Sequence, residues 1–287
     1  MDRVILQNSE VQVEFSPDKG MNLLRLAVGN LEIIDQNTKP LFEERFAGLG
    51  SLIGPHFHHR SKNQIPPVVS EDLFPHIARV RAKGTEEPFS HGIARYAPWT
   101  AQVVENAIMA TLSGNDVWNG SPLTALEGFS FEMNLVASLL KNGLSLDFSV
   151  QSKKPSVLGL HYYYTLPVSG GRVKALVENQ YRAQDLWQPI PSAFLDAEGH
   201  LFFDATQECD FGFIPKKGKD GFFEILYENA QFTLKIRFQT DEKEASWQLY
   251  RPQGASYICI EPLSARNPKN PVLEQSRLKV EIEVFSR

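Results

Sequence analysis

The stretch FSFEMNLVASLLKNGLSLDFSV, residues 129–150, decides the fold. Apolar residues fall at every second position from Phe129 through Phe131, Met133, Leu135 and Ala137 to Leu139. Asn142-Gly143 follows, and Leu144, Leu146, Phe148 and Val150 resume the alternation. A period of two puts successive side chains on opposite faces of a strand, and Asn-Gly between two such runs predicts a hairpin. EVQVEF (10–15) and LKVEIEVF (278–285) carry the same alternation at the two ends of the chain. LLRLAVGNLEII (23–34) turns around Gly29-Asn30, and FFEILYENAQFTLKIRF (222–238) bends at Glu228-Asn229-Ala230. Helical patterning is scarce; residues 71–80 accommodate a turn or two. Many short strands separated by turn residues predict an all-β protein, a large antiparallel β-sandwich with few short helices. The 18 prolines and 19 glycines are dispersed rather than gathered into a linker, so residues 1–287 are expected to form a single domain.

Composition narrows the function classes. A formal charge of −5 gives no electrostatic case for nucleic acid, which favours a basic face. No run approaches the ~18 apolar residues of a membrane helix, and MDRVILQNSEVQVEF lacks the apolar core of a signal peptide. Two cysteines, Cys209 and Cys259, are too few for a disulfide framework. These features together point to a cytoplasmic location.

Four polar clusters stand out from the strands: GLGSLIGPHFHHR (48–60), PFSHGIARYAPW (88–99), GLHYYYTLP (159–167) and YICIEPLSA (257–265). Tyr257 to Ile260 is apolar on both faces, which marks a buried strand. Glu261 closes that run before Pro262, a residue that interrupts strand pairing, so its carboxyl is expected at a pocket floor or rim. Burial there raises a carboxyl pKa and suits it to proton transfer; a salt-bridged strand end is the competing reading. Alternation sets His161 and Tyr163 on one face, Tyr162 and Tyr164 on the other. A histidine there serves as a general acid, or else packs as part of the core.

His56, His58 and His59 invite a metal, because imidazole is a zinc ligand. No CxxC or HExxH accompanies them, so they read as a polar rim at an anion or sugar site, with no metal. GxSxG, GxxxxGK[ST] and GxGxxG are all absent.

In order along the chain, the clusters resemble the aldose 1-epimerase (mutarotase) family. HGIARYAPW resembles its HGFAR-x-x-PW segment, LHYYYTL its H-x-Y-F-x-L, DFGF (210–213) its D-x-x-F, and CIEP its C-x-E-P. The resemblance spans about residues 20–280 and implies a β-sandwich that interconverts the α and β anomers of a sugar. It implies Glu261 as base and His161 as acid, with Arg60, His91, Arg95 and Asp210 binding substrate and no cofactor. His59-Arg60 stands where the family has Asn-Arg. The HGxAR form is closer to the branch containing hexose-6-phosphate epimerases, which implies a sugar or sugar phosphate as the partner. Arg60 and Arg95 are then the candidates for a phosphate, since guanidinium offers paired donors. On the alternative reading Arg95 pairs with a carboxylate and braces its loop. A non-catalytic sugar-binding domain is the rival to the enzyme.

Overall fold

A computed structural model describes residues 3–241 and 244–287. The hairpin that opened the sequence reading is present: Phe131–Leu140 and Gly143–Ser152 pair antiparallel, with Leu140 opposite Gly143. Its bend is Lys141-Asn142, one residue earlier than the Asn-Gly signal places it. Gly143 starts the return strand, and its lack of a side chain answers to a third strand rather than to the turn. A Cβ at Gly143 would stand 1.8 Å from the Ile282 carbonyl oxygen. Asn142 fastens the bend to that same strand, its Nδ2 donating to the Val284 carbonyl at 2.8 Å.

Two large antiparallel sheets build the molecule, one of eleven strands and one of nine. The nine-stranded sheet holds this hairpin beside the long Gln275–Ser286 strand. The middle of the eleven-stranded sheet runs, neighbour to neighbour, through Gly50–Ile53, Gly159–Thr165, Tyr257–Leu263, Ser246–Arg251, Cys209–Pro215 and Val177–Ala183. Leu135, Leu146, Phe148, Val280 and Ile282 from the first sheet share one apolar cluster with Tyr162, Tyr164, Ile258, Ile260 and Trp247 from the second. The fully buried Trp247 stacks on Phe213 at 4.6 Å, and truncating such a side chain to alanine costs about 3–5 kcal/mol. Helix is limited to short pieces, among them Lys39–Arg45, Pro75–Ala82 and Leu123–Glu127. Among the described residues no helix is long and apolar enough to cross a membrane.

The central strands are covered on both faces, which explains their near-continuous apolar sequence. Ile258, Cys259, Ile260 and Glu261 are all buried. The strand does not stop at Glu261, however. It runs on through Pro262 to Leu263, with Pro262 opposite Trp247. Neighbours on both sides hold this segment, so one missing N–H does not end the pairing.

Candidate active site

Strand register assembles the site. Gly159 pairs with Leu263 and Tyr162 with Ile260, so His161 lies opposite Glu261 although the two are a hundred residues apart. Their side chains meet, with His161 Nε2 3.3 Å from Glu261 Oε1, and both are buried. The next strand continues the row, with Gln248 opposite Glu261, while Asp210 and Tyr250 pair two residues along on the same face. Because side chains alternate, these groups project from the face turned away from the apolar cluster, while Tyr162 and Tyr164 enter it. His161 stacks on Tyr163 at 4.9 Å, as the alternation anticipated. The row floors a cavity of about 510 Å³.

PFSHGIARYAPW forms one wall. Trp99 anchors its far end, buried against Phe148 and donating Nε1–H to the Ala94 carbonyl at 3.0 Å. Its near end is laced to the preceding loop: the His91 N–H donates to His58, the Gly54 N–H to His91, and the Ala94 N–H to Gly54. That close approach requires Gly92, which has φ +88° and where a Cβ would clash 2.0 Å from the Gly54 carbonyl oxygen. The His91 ring meets the His161 ring edge-on at 5.3 Å. Its Nδ1 accepts the His58 backbone N–H at 3.3 Å, which leaves the ring proton on Nε2. Arg95 is buried, and its Nε makes a long bond to the Leu52 carbonyl at 3.4 Å. The Nη2 of that guanidinium has no partner. Among the described residues no carboxylate forms an ion pair with Arg95.

A buried brace is formed by Arg60, which the sequence reading offered as a substrate ligand. Arg60 does not line the cavity. Its Nε and Nη2 grip the two oxygens of Glu87 at 2.9 and 2.8 Å, and its Nη1 donates to the Glu127 carbonyl at 2.6 Å. Glu127 in turn meets His56 Nδ1 at 2.6 Å and accepts the Ile93 N–H at 3.2 Å. His56 is thus engaged away from His58 and His59, which stack on each other at 4.2 Å and line the cavity. Burial pushes the Glu87 carboxyl up, but Arg60 and His56 more than offset it and bring the pKa down to about 2. Glu87 and Glu127, forty residues apart, gave no signal for this network; the fold brings both onto Arg60 and His56.

Desolvation dominates the floor. Burial raises the Glu261 carboxyl to about 8, with Arg95 opposing and Asp210 adding to the shift. Burial also lowers His161 well below the ordinary imidazole value, with Arg95 acting in the same direction. Both shifts favour the uncharged forms, a protonated carboxyl and a neutral imidazole. Four cations join Arg95 around the cavity: Arg45, Lys83, Arg182 and Lys269. Asp210, Asp185 and Glu261 are the acidic residues there, and Asp185 is paired with Lys269 at 2.7 Å. None of these four cations lies in a motif that stood out in the sequence. Their strand and loop positions become meaningful only when neighbouring strands converge.

Solved structures now place the architecture. A galactose mutarotase-like protein from Lactobacillus casei superimposes with a TM-score of 0.70 at 13% identity, covering 99% of this chain and 100% of that one. A Synechocystis sp. protein gives 0.71 at 18% identity over 100% and 96% of the two chains. A GalM/aldose epimerase homologue from C. elegans gives 0.64 at 11% identity over 99% of each. The fold is the galactose mutarotase-like sandwich. No family profile matches the chain, and no curated protein matches it by sequence. Within the mutarotase-like sandwich, His161 and Glu261 occupy adjacent central strands at the cavity floor.

Proposed function

We propose that the protein is an aldose 1-epimerase, interconverting sugar anomers by acid–base ring opening and closure. The observation that carries this reading is the contact between His161 and Glu261 at the desolvated floor of the cavity. Opening a cyclic hemiacetal removes the proton of the anomeric hydroxyl and adds one to the ring oxygen. Both oxygens are bonded to the same carbon, so the acid and base that serve them must be neighbours. A pure sugar binder has no need of such a pair.

Burial sets the direction in which the pair begins. Glu261 enters with the proton and His161 as the free base, the reverse of the roles that the family resemblance implies. His161 takes the hydroxyl proton as Glu261 protonates the ring oxygen. Rotation about C1–C2 follows, and closure returns each proton to the group that gave it, so turnover ends where it started. Arg95 brings an unpartnered guanidinium N–H and His91 an Nε2–H to steady oxygen atoms that gain charge. Asp210 accepts from sugar hydroxyls.

The substrate is an aldose carrying an anion, a phosphate being the best match. A chain with net charge −5 here concentrates Arg45, Lys83, Arg95, Arg182 and Lys269 around one cavity. This agrees with the HGxAR resemblance. Arg182 and Arg95 replace Arg60 and Arg95 as the candidate phosphate partners.

Exchange NMR on anomers of glucose, galactose and glucose 6-phosphate tests both levels. Faster exchange with protein present is expected, greatest for the phosphate. Unchanged exchange across a broad aldose panel overturns the enzyme, and equal rates for glucose and its phosphate overturn the anion preference. Glu261→Gln is expected to lower kcat by roughly 10²–10⁴ while sugar still binds.

A further inference from the structure

Cys259 is a fully buried thiol that the proposed reaction does not use. It lies two residues before Glu261 on the same strand and so shares its face. It is also opposite Tyr163, the residue that stacks on His161. The ligating atoms of His161, Cys259 and Glu261 all lie within 4.8 Å of one another. We propose that these three residues form an inhibitory site for a soft divalent cation of the zinc type.

Geometry and donor chemistry both favour such an ion. Tetrahedral zinc with bonds of about 2.0–2.3 Å sets neighbouring donors roughly 3.3–3.6 Å apart. The His161–Glu261 edge is already 3.3 Å, so closing the site requires movement mainly of the thiol. Imidazole with thiolate selects zinc over magnesium or calcium, which prefer oxygen donors. A carboxylate and a thiolate together neutralise a dication, which leaves the positive charge beside Arg95 unchanged. His161 and Glu261 both line the cavity, which could supply a fourth ligand. Ligation would occupy the lone pairs that move protons and block turnover.

Binding is tested independently of activity by titrating Co²⁺ into the protein and recording its absorption. A thiolate-to-cobalt charge-transfer band with intense four-coordinate visible bands is expected, and Cys259→Ala should abolish the charge-transfer band. Only the weak spectrum of six-coordinate cobalt, or a charge-transfer band that persists in Cys259→Ala, overturns the site. In the anomer-exchange assay, Zn²⁺ is expected to inhibit the wild type, with at least about tenfold lower sensitivity in Cys259→Ala. Equal sensitivity of the two proteins overturns the inhibitory role. So does relief in a His58→Ala/His59→Ala variant but not in Cys259→Ala, since it assigns the zinc to the stacked histidines. The inhibitory role rests on the epimerase reading, whereas the cobalt spectrum does not. A protein that shows the cobalt band without exchanging any aldose fails the enzyme reading and retains the metal site.

Discussion

Replacing Arg60 by alanine separates a substrate ligand from a structural brace. The Arg60 side chain is 9% exposed and that of Glu87 is 1% exposed. Two bonds of 2.8 and 2.9 Å join them, and a third from Arg60 reaches the Glu127 carbonyl. Removing one partner of a buried, hydrogen-bonded ion pair costs about 3–5 kcal/mol, because the other charge stays buried without compensation. Glu87 supplies a second route to the magnitude. Its pKa falls from 4.5 to about 2 in the folded protein. By linkage that depression is worth about 3 kcal/mol. The sign follows from the direction: the contribution is present above pH 4.5 and disappears as pH drops toward 2. For a chain of this size the loss shifts Tm by roughly 5–8 °C. Scanning calorimetry of wild type and Arg60→Ala at neutral pH reads the shift, and KM for the sugar is measured in parallel at a temperature where both are folded. A variant that melts with the wild type while KM rises tenfold or more would refute the brace and restore Arg60 as a substrate ligand.

Two other outcomes follow from the geometry. Loss of the Glu261 proton removes the acid from the pair, so kcat/KM should fall as pH rises through about 8, after subtraction of the base-catalysed background. A profile flat from pH 7 to 9 would dissociate Glu261 from the rate. Gly92→Ala sets a Cβ against the Gly54 carbonyl at a backbone angle of φ +88°, which should destabilise the fold by about 1–3 kcal/mol or more and displace both His91 and Arg95. A urea midpoint and KM equal to those of the wild type would show that the two loops are not held by that contact.

Much of the local structure was legible because it depends on neighbours in sequence. Alternation through residues 129–150 marked two strands and a buried face, and the HYYYT segment divided its rings correctly between the two sides of a sheet. The hairpin signal was right about the turn and wrong about the glycine, because Gly143 answers to Ile282, a contact no local pattern contains. Pro262 misled for a similar reason: a proline ends an isolated strand, but this one is clamped between two others.

The sequence by itself determined an all-β protein, since residue type and short-range periodicity are enough for that, and its resemblance to the aldose 1-epimerase family pointed to His161, Glu261, His91 and Arg95. Tertiary structure decided which of these groups meet and how deeply they are buried. Register set His161 against Glu261, and burial pushes both toward their uncharged forms. Packing assigned the two arginines opposite duties, giving Arg60 a carboxylate partner and leaving Arg95 with an unpaired N–H at the cavity. Electrostatics inside a protein depend on distance and solvent exposure, and neither is a property of a residue's place in the chain.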